Sequence, residues 1–570
     1  MKKIEYNILT IVLCMLLCTN CSDVLDKNDL GSMSDKTVYD NAQFTLMVLD
    51  KLHRDIVPGW DAGNAEKCDE AGPDRTPKYP WGQASSDDFG SLEDPYKNIR
   101  RINMFLENLA AGSLNQETKD LYSAQALVMR AWIYFDLTRN YGGVPIVSTV
   151  WNLSDDLLTP RNKTSECIQF IVQDLDNAIA VENFPYSWSG VDAGRLSKAA
   201  ALALKGRVLL YWASPQFNPD SDQSRWTAAY NANKEAKEKL EANGYGLYDD
   251  FYRLWFDEMN KEVIFVKRYQ EPNLGHSWEA GTRQPTRSTG MDGWNKPTWQ
   301  MAKAFPMITG EPISESTLYD DVFFWKNRDP RFTQTIAWNS CTWAQYENIE
   351  ERLWTYPPEP CDNPSSTHLY CRKAINPAST EYQAYIGRNS ADWIEIRFAE
   401  TLMNYAECAA ELGNNDEAYS VLKQIRARAG ITAGASNMYG LKAGMSKAEM
   451  TRAIMLERQI EFAFENKRLW DLRRRRMLQE LNGMRREGRL ATLKMTEEEF
   501  AAYKNMETDF ENQYDLYFTD VVDIAGEDRV NVLNFPENYY FYPLHSNDLV
   551  TNSKLEQTQG WDNGTFDPLQ

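Results

Sequence analysis

Apolar residues recur every three or four positions along most of this chain, which is the spacing of a buried helix face. The clearest example is residues 121–136, LYSAQALVMRAWIYFD. The segment Tyr141–Pro145 ends that helix, because its glycines supply a cap and its proline cannot continue the turn. Short apolar runs predict strands at Val263–Val266 and Tyr539–Tyr542. The helical spacing predicts helices at residues 37–57, 94–111, 116–140, 163–181, 196–213, 225–243, 393–413, 415–429 and 447–470.

Two stretches predict pairs of helices joined by a turn. In residues 393–430 the first helix ends at Gly413, Asn414–Asp416 form the turn, and small Ala418 stands where two helices would cross closely. Residues 196–243 predict a second pair with a longer connection. This spacing resembles a tetratricopeptide unit, and such units stack to share a core, with simple helical hairpins as the alternative. We therefore expect a mainly α fold with a tetratricopeptide-like helical hairpin scaffold.

Residues 244–392 differ from the rest of the chain. Helical spacing fades there while Pro, Gly, Trp and Asn become more frequent. A loop-rich segment of this length is usually functional or disordered, and its many aromatic residues argue against disorder. We expect a lipoprotein signal peptide at residues 1–20, helical parts at 21–243 and 393–570, and a loop-rich, aromatic-rich irregular segment at 244–392.

Tryptophan is concentrated in this loop-rich segment. Seven of the 18 tryptophans lie between residues 278 and 354, where an even spread would place two or three. Sugar rings lay their C–H groups on flat aromatic faces, and their hydroxyls need polar partners. Aromatic rings also supply a large contact area at low conformational cost. Tryptophans beside Asp, Asn, Arg or Gln therefore indicate a carbohydrate site.

Residues 277–295 and the loop at 58–90 both combine tryptophans with such polar residues. The alternative is that these tryptophans form a small core beneath the loops, and for any single one burial is the more frequent situation. Helical spacing places Trp132, Trp212, Trp393 and Trp470 in the core. The candidate glycan-contact residues are Trp60, Trp81, Asp88, Trp278, Arg283, Trp294 and Trp343.

The charge balance bears on possible partners. The 570-residue chain has 61 basic and 82 acidic residues, a formal net charge of -21. A surface that binds phosphates needs a basic balance, so nucleic acid is not expected as a partner. The basic run Arg473–Arg476 follows glutamates three to four residues apart, which indicates ion pairs on a helix face.

Cysteine usage and motif searches point to no cofactor and no metal site. Six of the nine cysteines lie after residue 21, and no two of these six form a CxxC pair, which disfavours a structural zinc site. A disulfide is plausible among Cys341, Cys361 and Cys371, although sequence cannot fix the pairing. No H-E-x-x-H, G-x-S-x-G or phosphate-loop motif occurs.

The first residues have the features of an export signal. Lys2 and Lys3 precede an apolar run at residues 6–17, which is too short to cross a bilayer. Residues 18–21, Cys-Thr-Asn-Cys, resemble a loose bacterial lipobox, with Asn20 where Gly or Ala is usual. We predict lipidation of Cys21, which would attach the chain to a membrane. A plain signal peptide with an incidental cysteine is the alternative.

Seven segments, in this order, are together similar to the SusD/RagB family. Each is moderately specific, and their shared order covers nearly the whole chain. The closing segment departs from the family, with Thr558-Gln559-Gly560-Trp561 where Asn-Pro-Gly-Tyr is more usual. The segments are CSDVLDKNDL after the predicted cut, PYKNIRRINMFLENL (95–109), ALVMRAWIYFDLTRNYGGVPIV (126–147), LSKAAALALKGRVLLYWASPQF (196–217), AETLMNYAECAAELGN (399–414), LERQIEFAFENKRLWDLRR (456–474) and FYPLHSNDLVTNSKLEQTQGW (541–561).

The resemblance implies a fold, a location and a partner. It implies four tetratricopeptide-like units and an irregular second half that carries much of the binding face. It also implies a surface-exposed outer-membrane lipoprotein that binds oligosaccharide through an aromatic arc and has no catalytic centre. The partner would be a SusC-like TonB-dependent transporter. For Trp81, Asp88 and Trp294, the contact role that the resemblance implies rests only on their positions in the chain.

Three other functions compete with glycan capture. A surface glycoside hydrolase needs two carboxylates facing each other across the sugar, and no motif marks such a pair. A RagB-like member that delivers peptide would favour an apolar groove poor in tryptophan. A protein–protein scaffold is the third alternative, because tetratricopeptide stacks often bind peptides.

Overall fold

The computed structural model describes residues 35–61, 63–73, 78–152, 154–284, 293–344, 346–357 and 365–570. The first part of the chain is helical up to residue 242. Its helices are α1 (Asp35–Tyr39), α2 (Ala42–Ile56), α3 (Glu93–Ala111), α4 (Gln116–Tyr141), α5 (Thr164–Ala180), α6 (Lys198–Ala213) and α7 (Gln223–Ala242).

The remainder mixes short elements with a second group of helices. The strands pair antiparallel in twos, β1 with β6, β2 with β5, β3 with β4 and β7 with β8. The elements are β1 (Val263–Lys267), α8 (Trp278–Thr282), α9 (Trp299–Ala304), α10 (Pro330–Thr335), β2 (Ile336–Ala337), β3 (Thr342–Ala344), β4 (Glu350–Arg352), β5 (Tyr370–Cys371), β6 (Trp393–Arg397), α11 (Phe398–Glu411), α12 (Asn415–Arg428), α13 (Lys447–Glu461), α14 (Arg468–Arg474), β7 (Glu487–Leu493), α15 (Glu497–Phe500), α16 (Phe510–Tyr517), β8 (Phe518–Ile524) and α17 (Ser546–Thr551).

The mainly α fold class predicted from the sequence is confirmed, with paired helices as its scaffold. Helices α6 and α7 show how closely such a pair packs. The amide of Asn233 on α7 donates to the Gly206 carbonyl on α6 at 3.0 Å. A Cβ at Gly206 would lie 2.4 Å from Asn233 Oδ1, so a larger residue there would displace the Asn233 side chain.

Four predicted elements differ from the structure. The helix predicted at 37–57 is interrupted at Asn41, whose side chain accepts hydrogen bonds from the first N–H groups of α2. The helix predicted at 393–413 begins only at Phe398, because the residues before it form β6 and pair with β1. The helix predicted at 447–470 ends at Glu461 and resumes at α14. The strand predicted at Tyr539–Tyr542 is wrong, because Glu537–Tyr540 form a 3₁₀ turn.

Two large hydrophobic cores lie in the described residues. The first packs α2–α7 against α11–α13. The second lies beneath the loop-rich segment and contains much of its tryptophan, which confirms that many of these rings form a core of their own. Its buried tryptophans are Trp255, Trp278, Trp299, Trp325, Trp338 and Trp343.

A network of buried ion pairs connects the loop-rich segment to the helices. Arg331 on α10 contacts Asp329, Glu457 and Glu461 at 2.7–2.9 Å. Arg397 on β6 contacts Glu461 and Glu465 at 2.6–2.9 Å. Five cations and five acids form the network, so its formal charges cancel. The members are Arg331, Lys373, Arg397, Arg426, Arg428, Glu262, Asp329, Glu457, Glu461 and Glu465.

Glu461 is the acid that three arginines share. Burial by itself raises the pKa of this carboxyl, but Arg428, Arg397 and Arg331 outweigh that cost and hold its pKa well below the usual 4.5. A carboxyl with a lowered pKa in the folded state stabilises the fold above its unfolded pKa. That contribution is lost as pH falls through the folded pKa.

Two of the three cysteines considered for a disulfide lie in the described residues. The predicted signal peptide, the lipidation site Cys21 and Cys361 lie outside the described residues. Cys341 and Cys371 are separate buried thiols, so neither is in a disulfide. In the ranges that the structure describes, no helix has both the length and the apolar character needed to span a bilayer.

Replacing Glu461 by Gln should destabilise the fold by about 3–5 kcal/mol, because it leaves buried arginines without a counter-charge. Chemical denaturation measures this loss. The control is Glu480→Gln, which removes an exposed pair with Arg452 and should change the free energy of unfolding by less than about 1 kcal/mol. Equal effects of the two substitutions would contradict the role given to the network.

The pH dependence of stability supplies a second test. The free energy of unfolding should fall as pH drops below 4.5, the ordinary pKa of Glu461, because the unfolded chain then takes up a proton that native Glu461 does not. The Glu461→Gln variant should show a shallower fall over the same range. Denaturation curves recorded from pH 7 to pH 3 compare the two slopes, and identical slopes would contradict this assignment.

Candidate functional site

Four of the seven candidate contact residues meet at the short helix α8. Trp278 opens this helix, and its ring stacks on Trp60 with centroids 4.5 Å apart. Trp294 packs on the helix at Gly281, where a Cβ would approach its ring to 2.4 Å. Arg283 directly follows the helix. Residues from the loop at 58–90 and from 277–295 are therefore adjacent.

Trp60 is half-buried among other rings. Its indole N–H donates to the Ala391 carbonyl at 2.8 Å, and His276 contacts the same carbonyl oxygen at 2.8 Å. Burial lowers the pKa of His276 to about 3, so this imidazole is neutral at pH 7. Trp393 meets the ring of Trp60 edge-on at 5.0 Å. Trp60 thus joins the N-terminal loop to the residues before β6.

The other three candidates lie on other parts of the chain. Trp343 is on β3, with the guanidinium of Arg372 5.8 Å from its ring. The indole N–H of Trp81 donates to Asp528 at 2.9 Å. Asp88 is exposed and accepts hydrogen bonds from Lys78 and Ser85.

The seven candidate residues differ in the exposed fraction of their side chains. Trp278 and Trp343 are 2% exposed, Arg283 is 1% exposed and Trp81 is 6% exposed. Those four have little free surface for a ligand in this conformation. Trp60 and Trp294 are half-buried and Asp88 is exposed. Ligand contact by any of the seven stays a prediction.

Buried Glu279, on α8, holds the segment 376–389 in place. One carboxylate oxygen pairs with Arg283, which also donates to the Asn376 carbonyl at 3.0 Å. The other oxygen accepts from Ser379 at 3.0 Å and from Asn389 at 2.7 Å. A buried carboxylate is stable only when it is paired and hydrogen-bonded, and Glu279 satisfies both conditions through this segment.

Residues 380–388 form a compact turn within that segment, which we call the tyrosine turn. Thr380 and Gln383 bond to each other at 3.0 and 3.2 Å. The Gly387 N–H donates to Ser277 Oγ at 3.0 Å, which fixes the far end of the turn beside α8. The turn projects Tyr382 and Tyr385, which are 51% and 46% exposed.

The tyrosine turn combines flat rings with polar groups. The guanidinium of Arg388 lies 4.3 Å from the Tyr382 ring, and the Gln383 amide donates to Glu271 at 3.2 Å. Of the described residues, only three aromatic side chains are exposed: Tyr382, Tyr385 and the distant Tyr503. Adjacent exposed rings with hydrogen-bonding neighbours suit the faces and hydroxyls of sugars.

The sequence analysis did not identify these tyrosines. It weighted tryptophan, which buries more area and here mostly forms the second core. The available signal was the segment EYQAYIGR at 381–388, where two tyrosines alternate with polar residues in a stretch without helical spacing. Across the described ranges, no group of three or more His, Cys, Asp or Glu side chains could hold a metal ion.

Comparison with known families gives consistent matches. A family model described as the SusD family matches residues 261–561, and one described as "Starch-binding associating with outer membrane" matches residues 78–210. SusD-like protein P38 of Formosa agariphila is 23% identical over 543 residues, covering 85% of this chain and 94% of that protein.

Solved structures show the same fold. A SusD-like protein from Bacteroides fragilis superposes with a TM-score of 0.73 at 22% identity, covering 93% of this chain and 99% of that one. A SusD-like carbohydrate binding protein from the same organism has a TM-score of 0.71 at 21% identity, covering 91% of this chain and 99% of that one.

Replacing Glu279 by Gln should loosen the tyrosine turn, because Arg283 loses its buried counter-charge. Hydrogen exchange of peptides covering 376–389 should become faster, while exchange in α6 and α7 stays unchanged. The matched control is Glu381→Gln, an exposed acid in the same segment, which should leave exchange as it was. Unchanged protection of 376–389 in the Glu279 variant would contradict the role of this carboxylate.

Proposed function

Because the chain belongs to the SusD family, we propose that it is a cell-surface glycan-binding protein that captures oligosaccharide and delivers it to a membrane transporter. The tyrosine turn is the proposed contact surface. A relative with the same fold is named a carbohydrate binding protein, which supports a sugar as the ligand class. The observation that carries the proposal is the pair of exposed rings at Tyr382 and Tyr385.

The rings of the tyrosine turn can bind without moving. A ring that is half exposed offers a face to a sugar, and stacking on it requires no side chain to leave the core. Fixed backbone beneath the rings lowers the conformational entropy lost on binding. Glu279 and Ser277 provide that fixation through their bonds to 376–389.

The predicted contact residues have two roles in this proposal. Trp278 and Arg283 support the turn from beneath, because their surfaces are covered. Trp60 and Trp294 are half-buried beside α8 and could extend the contact to further sugar rings. Asp88 lies at a small cavity that Lys78 and Tyr79 also line. It remains a separate candidate for glycan contact, as do Trp81 and Trp343.

Anchoring and delivery complete the proposal. Lipidation of Cys21 would hold the chain on the outer membrane, with its binding face exposed at the cell surface. The partner would be a SusC-like TonB-dependent transporter that receives the captured oligosaccharide. Association with the outer membrane is the description of the family model that matches residues 78–210.

Binding without catalysis fits the groups around the turn. Glycoside hydrolysis needs two carboxylates free to act on the sugar. Glu279 is fully occupied by Arg283, Ser379 and Asn389. Glu271 accepts a hydrogen bond from Gln383 at the side of the turn, which leaves Glu381 as the one exposed carboxylate within the turn itself.

Replacing Tyr382 or Tyr385 by Ala should weaken glycan binding by about 1 kcal/mol each, about fivefold in Kd, because each removes one stacking face. Calorimetric titration of the full chain with a panel of neutral and acidic oligosaccharides measures the change, with product analysis of the same mixtures. The matched control is Tyr503→Ala, which removes an exposed ring on another part of the surface and should leave Kd unchanged.

Phenylalanine substitutions separate stacking from hydrogen bonding. Tyr385→Phe should retain most of the affinity if the ring face is the contact. Equal affinity of the wild type and the double alanine variant would contradict the proposed surface. Binding to peptides alone would contradict the ligand class, and the appearance of shortened sugars would contradict a purely binding role.

A further inference from the structure

A groove is formed by residues that lie far in the chain from α8 and the tyrosine turn. Its walls come from the start of α3, the loop after α4 and the C-terminal helix α17. The volume is about 710 Å³, within the ~300–1,000 Å³ range of ligand sites in proteins. The lining residues relevant here are Leu92, Glu93, Trp151, Leu157, Asn547 and Thr551.

Trp151 distinguishes this groove from the tryptophan-rich core. It is half-buried, and within the described residues its indole has no ring partner and no hydrogen bond. By contrast, Trp60 and Trp278 stack on each other, and Trp325 stacks on Trp338. Trp151 therefore presents an unpaired donor and a free ring area to the groove.

The backbone beneath Trp151 is fixed. Arg100 Nη1 donates to the Trp151 carbonyl at 2.9 Å, and the N–H of the next residue, Asn152, donates to Asp155 at 2.6 Å. Asp548 ties α17 to α3 by accepting from Ser91 Oγ at 2.7 Å and from the Leu92 N–H at 3.0 Å. The groove is thus preformed, so little ordering is needed when a ligand binds.

Polar groups with remaining bonding capacity surround the ring. The amide of Asn547 and the hydroxyl of Thr551 have no side-chain partner among the described residues. Glu93 pairs with Lys97 at 2.7 Å but is largely exposed, so its carboxylate can still accept hydrogen bonds. One flat ring with an amide, a hydroxyl and a carboxylate matches the groups that a sugar presents.

The charged side chains that line the groove indicate which sugars would bind there. Apart from His545, the charged side chains that line the groove are the acids Glu93 and Asp548, and neither Lys nor Arg lines it. A sulfate or carboxylate on a ligand would meet like charge there, and the cations Lys97 and Arg100 already bond to Glu93 and to the Trp151 carbonyl. Neutral sugars avoid this repulsion, and amino sugars would be attracted.

We propose that this groove is a second glycan site, selective for neutral or amino sugars, with Trp151 as its stacking platform. The inference rests on the proposed function, since it assumes that the chain binds glycans. Two sites on one chain would bind a long glycan more tightly than either site alone, through a raised effective concentration.

The experiment uses a variant in which the tyrosine turn is disabled. The full chain carrying Tyr382→Ala and Tyr385→Ala is titrated by calorimetry with neutral hexasaccharides (cellohexaose, maltohexaose, xylohexaose and mannohexaose), chitosan hexasaccharide and oligogalacturonate. We expect residual binding to a neutral or amino hexasaccharide. Adding Trp151→Ala should weaken it at least tenfold, Trp151→Phe should restore most of it, and oligogalacturonate should bind at least tenfold more weakly.

The outcomes separate the two proposals. Loss of all binding in the tyrosine variant, with binding by the wild type, overturns the second site and leaves the proposed function intact. Residual binding that is unchanged by Trp151→Ala, or stronger for oligogalacturonate, also overturns it. Binding that is lost with Trp151→Ala alone and unaffected by the tyrosine substitutions supports the groove and overturns the tyrosine turn.

Discussion

The buried ion network is the constraint on which the loop-rich half of this protein depends. Ion pairs inside a protein are stable only when every charge is matched, because taking each ion out of water costs several kcal/mol. Arg331 and Lys373 come from the irregular segment, and their acidic partners Glu457, Glu461 and Glu465 come from the helical part. These pairs fix the position of the segment on the helical part.

This constraint extends step by step to the proposed binding surface. The carbonyl of Lys373 accepts the indole N–H of Trp278 at 3.1 Å, which positions α8. Glu279 on the same helix then bonds the segment that carries the tyrosine turn. A chain of buried contacts thus connects a charge network in the core to two exposed rings. The proposed surface lies on a loop that these contacts attach to α8, and binding residues are often found on loops positioned in this way by a scaffold.

The sequence predicted the fold better than the site, for identifiable reasons. Helical spacing is a local property, so α3–α7 and α12 were placed within two residues of their true ends. Residues 393–397 were assigned to the helix that follows them, but pairing with β1 makes them a strand, and that partner lies about 130 residues away in the chain. The sequence marked the loop-rich segment that contains Trp278 and Trp343 as different from the rest of the chain. Aromatic content alone, however, does not show whether a ring is buried or exposed. Tyr382 and Tyr385 are exposed because Glu279 and Ser277 fix the turn, and those contacts depend on tertiary structure.

The central claim is that glycan binds on the tyrosine turn, and hydrogen exchange with and without a saturating oligosaccharide tests it most directly. Bound sugar would cover the turn and slow the exchange of its backbone amides. The account predicts increased protection in peptides covering 380–388, with no change in the peptides around Tyr503. Protection of other surfaces with none at 380–388 would contradict it.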